Sequence, residues 1–263
     1  MDMDQAEKQA FERYLLAMAD DELILGHRNS EWCGHAPLLE EDIAFANIAL
    51  DEIGHASTWY AILSEFTGKD PETHPDRLVY FRDASDFHSA RLVELPNGDW
   101  AFSMLRQYLF DAYEMVKLRE LERSRYLPLA GATAKIRKEE LYHYRHTSAW
   151  IKRLGLGTEE SHRRLQNALA ALWPYTRQLF TPVAGEDLVV SSGFGSPSEV
   201  VEIAWREQVV PLLEESGLQL GHLSNLVPDV SRYDGSRDQH TPHLKVLVRE
   251  LQSVARLEPD SSW

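Results

Sequence analysis

The segment FANIALDEIGHASTWYAILSEF, residues 45–66, carries Phe45, Ile48, Glu52, His55, Trp59, Ile62 and Phe66 at alternating steps of three and four. That period is the mark of one face of an α-helix. The face is apolar except for Glu52 and His55, and a spacing of three sets those two side chains one above the other. Burying a carboxylate without a partner is costly, so a charged pair on an inward stripe demands an explanation. The same arrangement occurs again in Glu140-Leu141-Tyr142-His143, where Ile136, Glu140, His143, Thr147, Trp150 and Leu154 share a face.

Working outward, the first two thirds of the chain read as four long helices. The first spans about 5–29, with Tyr14, Leu15, Met18, Glu22 and Leu25 on one stripe and Gly34 and Pro37 beyond its end. The second spans about 39–66 and is closed by Gly68 and the 71–75 stretch with its two prolines. After a mixed connection containing the turn-like Pro96-Asn97-Gly98, the third is expected over about 99–126, stopped by Pro128. The fourth is expected over about 131–154, before Gly155 and Gly157. Four such helices with a crossing connection between the second and third predict an all-α bundle.

Downstream, Thr158 reads as the N-cap of a fifth helix over about 159–180, kinked or delayed by Pro174. Ser196-Pro197-Ser198-Glu199 reads as a capping box opening a sixth helix over about 197–216. Residues 217–240 are poor in regular pattern, and Thr241-Pro242 opens a last helix to about 256. No repeat or low-complexity linker divides the chain, so one domain is expected: a core bundle over about 5–154 with additional C-terminal helices over about 158–256.

The first and third helices each supply one more inward carboxylate. Glu22 interrupts an apolar stripe 30 residues before Glu52, and Glu114, among Phe110, Leu118 and Leu121, precedes Glu140 by 26. The order Glu22, Glu52 with His55, Glu114, Glu140 with His143 is the ligand scheme of ferritin-like di-iron and di-manganese carboxylate bundles. Four carboxylates and two imidazoles suit two divalent first-row metals, and mixed nitrogen and oxygen ligation without thiolate favours iron or manganese over a closed zinc site. Two positions stay open. Asp111 lies one turn before Glu114 and its spacing of 29 to Glu140 better matches the first pair, and Glu139 lies four residues from His143. The competing account is a buried polar network without metal, in which the same groups pair with one another or with Arg28 and Lys117. His27, His35 and His146 read as surface or supporting residues.

The chain has 263 residues, 43% apolar and 26% charged, with a formal charge of −15. That sign repels a phosphate backbone, which argues against nucleic-acid binding. Nine Lys or Arg against four acids make residues 131–180 a basic island, which suits the phosphates of a nucleotide-bearing thioester or an acidic partner and equally reads as a solvated helical face with internal ion pairs. Cys33 stands alone, the N-terminal segment is charged, and no apolar run approaches a membrane span, so a cytoplasmic location is expected. There is no Gly-rich phosphate loop, nucleophile elbow or Cys-x-x-Cys pair, which disfavours kinase, hydrolase and zinc-ribbon chemistry.

Four blocks carry a family resemblance: LILGHRNSEWCGHAPLLEEDIAFANIALDEIGHA from Leu23, VELPNGDWAFSMLRQYLFDAY from Val93, YHYRHTSAWIKRLGLGTEESHRRLQNALAALWPYT from Tyr142, and HTPHL from His240. In these blocks the chain resembles the C subunits of bacterial phenylacetyl-CoA 1,2-epoxidase, an enzyme of phenylacetate catabolism. The resemblance implies a ferritin-like fold and a complex with a catalytic di-iron A subunit, which the C subunit supports structurally. Familiar C subunits carry apolar or amide residues at most ligand positions. Here Glu22, Glu52, His55, Glu114, Glu140 and His143 occupy them, and the 51–55 stretch looks like that of A subunits. The expectation is therefore a subunit of a ring-epoxidising oxygenase with an intact di-iron site, served by a separate flavin and iron–sulfur reductase and acting on a CoA thioester. Its rival is a noncatalytic partner with a vestigial polar core; iron storage is a third, weaker reading.

Overall fold

The computed structural model describes residues 3–221 and 236–259. It contains α1 (Gln5–Ser30), α2 (Leu39–Phe66), α3 (His74–Tyr80), α4 (Arg91–Glu94), α5 (Trp100–Leu121), α6 (Leu127–Gly155), α7 (Glu159–Thr176), α8 (Glu186–Ser191), α9 (Ser198–Glu215), α10 (Pro242–Leu251) and α11 (Ser253–Leu257), with 3₁₀ turns at Ala84–Asp86 and Arg177–Phe180. No strand occurs among the described residues.

α1 packs on α2 and α5 on α6, two hairpins that together form the four-helix bundle. The 67–99 connection crosses between them and carries the short α3 and α4. α7 and α9 cover the other side of α5, and α8 lies against α1. One cluster of buried apolar side chains runs from Ala10 to Val248, with Phe11, Phe45, Trp59, Tyr108 and Trp205 among its largest members. Trp205 fastens α9 to the bundle by donating its indole N–H to the Leu109 carbonyl, 3.0 Å away.

Local chemistry sets the ends. The Asp4 carboxylate accepts from the Glu7 N–H while Glu7 reaches back to Asp4, a capping box that fixes the start of α1. Asp99 caps α5 through the Phe102 N–H, and Thr158 caps α7 as its sequence suggests.

Several boundaries differ from the sequence reading. α5 ends at Leu121, because residues 124–125 turn away to bond residues 193–194 through Ser124 Oγ to Phe194 O and Arg125 N to Gly193 O. Pro128 accordingly opens α6 in its first turn, where a missing N–H costs nothing. Ser196 does not cap α9. The Glu186 carboxylate does so from twelve residues away, accepting from Ser198 N at 2.9 Å and from its hydroxyl at 2.6 Å. α7 runs through Pro174 before tightening into its 3₁₀ turn, and the last helix breaks at Gln252, whose side chain donates to the Val79 and Arg82 carbonyls. Part of the pattern-poor 217–240 stretch, residues 222–235, lies outside the described residues.

Candidate metal centre

The bundle brings Glu22 from α1, Glu52 and His55 from α2, and Glu140 from α6 to one point. One ligand atom from each lies within 4.8 Å of the others. A second group, under the same limit, joins Glu52, Asp111 of α5 and His143 of α6. All six side chains are buried. Glu52 belongs to both groups.

Close helix approach makes this geometry available. At Gly26, one turn after Glu22, an added Cβ would stand 2.9 Å from Ile53 Cγ1 and 3.0 Å from Glu52 Cβ, so only glycine lets α1 come this near to α2.

The two imidazoles are held alike. His55 turns Nε2 outward to Glu139, 3.0 Å away, and Nδ1 inward, 3.6 Å from Glu22 and 3.4 Å from Glu140. His143 turns Nε2 to Asp51 at 3.2 Å and Nδ1 to Glu140 at 2.9 Å. The bracing is reciprocal: α6 supplies the outer carboxylate for the histidine of α2, and α2 for that of α6. A metal-binding histidine characteristically gives its remote ring nitrogen to such a carboxylate.

Electrostatics move Glu22, Glu52, Asp111 and the His143 imidazole of the cluster in the same direction, toward holding protons. Burial, and then neighbouring carboxylates, push Glu22, Glu52 and Asp111 well above the usual range. Burial works against the His143 imidazolium, but Glu140 and Asp51 overcome it, and its pKa is pushed up to about 12. Both oxygens of Glu22, Oε2 of Glu52, Oε2 of Glu140 and Nδ1 of His55 have no hydrogen-bond partner. The Trp59 indole approaches Glu22 and is itself left without one.

Of the pairs expected in a metal-free network, those among the acids and histidines are present, whereas Arg28 and Lys117 lie elsewhere. Arg28 pairs with Glu31 and donates to the Glu94 carbonyl, and Lys117 donates to the Tyr113 hydroxyl. Of the sequence candidates, Glu22, Glu52, His55, Glu140 and His143 come together. Glu114, although buried, lies outside both groups; burial pushes it up to about 8 despite Lys117. Asp111, one turn earlier, stands in the second group, and Glu139 braces a histidine. His146 joins Glu41 and Trp150 in a clip between α2 and α6.

Sequence reasoning passed over Asp51, Gln107 and Asn29. The Gln107 amide donates to Glu52 Oε1 and Asp111 Oδ1, both at 2.6 Å, and accepts from Asn29 Nδ2 at 2.6 Å. An acid directly before each ligand Glu, in Asp51-Glu52 and Glu139-Glu140, was the available signal for the braces. Gln107 had none.

The family model described as phenylacetic acid catabolic protein matches residues 1–263. This chain belongs to that family. Among curated relatives it is 35% identical over 252 residues to the C subunit of 1,2-phenylacetyl-CoA epoxidase from Escherichia coli K12, covering 95% of this chain and 98% of the relative. It is 24% identical over 228 residues to the A subunit of the same enzyme, covering 87% and 68%. Among solved structures, a Synechococcus protein with aldehyde deformylating oxidase activity superposes with a TM-score of 0.58 over 96% of this chain and 98% of its own, at 14% identity. This member of the family thus has the ferritin-like helical fold, with a buried carboxylate and histidine cluster that could hold a metal. Among its described residues no helix is long and apolar enough to cross a membrane.

Proposed function

We propose that this chain is a C-type subunit of a multicomponent oxygenase that epoxidises the ring of phenylacetyl-CoA, and that it retains a dinuclear iron centre of its own. The observation that carries the metal is the set of unpartnered buried atoms on Glu22, Glu52, His55 and Glu140. Carboxylate oxygens buried without donors are expensive, and a divalent cation is the partner their chemistry fits. Glu22, Glu52, His55 and Glu140 would hold one ion, and Glu52, Asp111, Glu140 and His143 the other. Asp111 supports this set better than Glu114 because it shares the second group's geometry. Iron bound there would supply the redox chemistry needed to activate dioxygen.

The protein's own contribution is to hold these side chains in place and keep bulk water from them. Asp51 and Glu139 fix which imidazole nitrogen faces inward, and Thr147 donates to Asp111 Oδ2 at 2.6 Å. Electrons would come from a separate flavin and iron–sulfur reductase, because one cysteine cannot ligate a cluster.

The chain works beside an A-type partner. Leu39, Ile43, Leu50 and Ile53 form an exposed apolar stripe on α2, and Lys135, Lys138, Tyr142 and Arg145 are exposed on neighbouring α6. In the rest of the basic island, Arg137, Lys152, Arg163 and Arg164 are already paired with acids. Co-expression with the A-type partner, followed by size-exclusion chromatography, should give a stable heteromer that Leu50→Lys weakens. Metal analysis of the chain purified without chelator should give about two irons, in line with the bundle ligand scheme, and His55→Ala should lower that content. Metal content near zero after anaerobic reconstitution would leave the noncatalytic-partner reading, which the higher identity to the C subunit favours. Product formation by the chain and reductase with no A-type partner present would place turnover in this chain.

A further inference from the structure

The two halves of the centre differ in what their ligand atoms are already doing. In the first position, both oxygens of Glu22, one each of Glu52 and Glu140, and Nδ1 of His55 have no hydrogen-bond partner. In the second, protein donors occupy the carboxylates. Gln107 Nε2 lies 2.6 Å from both Glu52 Oε1 and Asp111 Oδ1, and the Thr147 hydroxyl 2.6 Å from Asp111 Oδ2. Asn29 donates to the Gln107 carbonyl oxygen, so the amide must present its N–H groups to the two acids. Asn29, Gln107, Asp111 and Thr147 are all fully buried, and no solvent competes for these bonds.

We infer that the two metal positions fill in order, the Glu22–His55 position first, and that Gln107 sets the gap by acting as a built-in competitor for the second ion. The inference rests on the metal-binding reading above and adds to it the sequence of loading and the residue that controls it. An ion entering the first position displaces no protein donor from these atoms. At the second position the ion draws on the same oxygen charge that short charge-assisted hydrogen bonds already engage. The second ion therefore binds more weakly, by roughly ten-fold or more for each such bond weakened. The chain as first loaded holds a single ion, and the dinuclear state forms only as metal concentration rises.

Titration of the chelator-stripped full chain with manganese(II), with the free ion followed by electron paramagnetic resonance, reads both steps directly. The wild type should bind two ions in resolved steps. Gln107→Leu should tighten the second step toward the first and move the first less, because Glu52 serves both positions while Asp111 serves the second alone. Thr147→Val, nearly equal in size and therefore gentle on the fold, should shift the second step in the same direction by a smaller factor. It carries the test should Gln107→Leu fail to fold. Two ions bound with one affinity in the wild type would overturn the order of loading. A second step that disappears or stays unchanged in the folded variants would overturn the competitor role, the former because Gln107 would then be holding the ligands for the ion. Absence of any manganese or iron binding would overturn the metal reading itself.

Discussion

Asp20, Asp21 and Glu22 are three consecutive buried acids on α1, and they live in opposite circumstances. Asp20 accepts from Arg82 and the Tyr60 hydroxyl, and from the His88 N–H at 2.7 Å. Both oxygens of Asp21 lie 2.8 Å from Arg237 Nη1, and the Ala90 N–H adds a third bond at 2.6 Å. Glu22, pointing into the bundle, has no such bond. Burial of charge therefore does not mark a metal centre. What separates a structural acid from a ligand on this helix is whether the protein has supplied the counter-charge.

The contrast can be broken first at Arg237. Arg237→Ala strands Asp21 in the interior, which should cost about 3–5 kcal/mol of unfolding free energy. Denaturant titration measures it, and a loss below about 1 kcal/mol, the range of exposed pairs, would erase the distinction between the two acids.

Glu22→Gln should behave in the opposite way. Burial already drives Glu22 toward its neutral form, so the chelator-treated variant should melt with a stability within about 1 kcal/mol of the wild type. Its metal content should nevertheless fall, and metal should raise its melting temperature less than it does for the wild type.

Removing a brace sharpens the comparison within the centre. Asp51→Asn should weaken the His143 position and Glu139→Gln the His55 position, each by about 10–100-fold in metal affinity. Manganese titration distinguishes the two, because each variant should move a different step.

The smallest effect is one of pH, at another paired buried acid, Glu94 of α4. His240 faces acceptors with both ring nitrogens, Glu94 Oε1 at 2.6 Å and the Phe87 carbonyl at 2.8 Å. Burial opposes its charge, but Glu94 holds the imidazolium and the pKa is raised. Its stabilisation is therefore fully present below the unfolded value of about 6.5 and is lost as pH rises through the higher folded value. Unfolding free energy measured across that window should fall with pH in the wild type and less steeply in His240→Gln.

Much of this was legible because α2 and α6 have one solvent face each. On such helices an acid within the apolar stripe is conspicuous, and Glu52, His55, Glu140 and His143 follow from period alone. The third-helix ligand was not fixed by that rule. α5 is buried almost all round between α6, α7 and α9, so Asp111 and Glu114 are equally inward by pattern, and only chain spacing hinted at Asp111. The counter-charges of the paired buried acids were invisible for another reason. Arg237 lies 216 residues from Asp21 and His240 lies 146 from Glu94, and no local periodicity encodes a partner at that distance. The missed cap of α9 is the same failure at shorter range, with Glu186 taking the task that Ser196 seemed placed to perform.

The exchanged braces of the two histidines have a mechanical corollary. Because α2 steadies the imidazole of α6 and α6 that of α2, sliding either helix along its axis disturbs both ligands at once. A shift of a single turn, about 5.4 Å, would separate both pairs completely. The centre is thus a vernier between two helices, sensitive to their axial alignment more than to the rotamer of any one side chain. Substitutions far along α2 or α6 that alter this alignment should change both metal positions together.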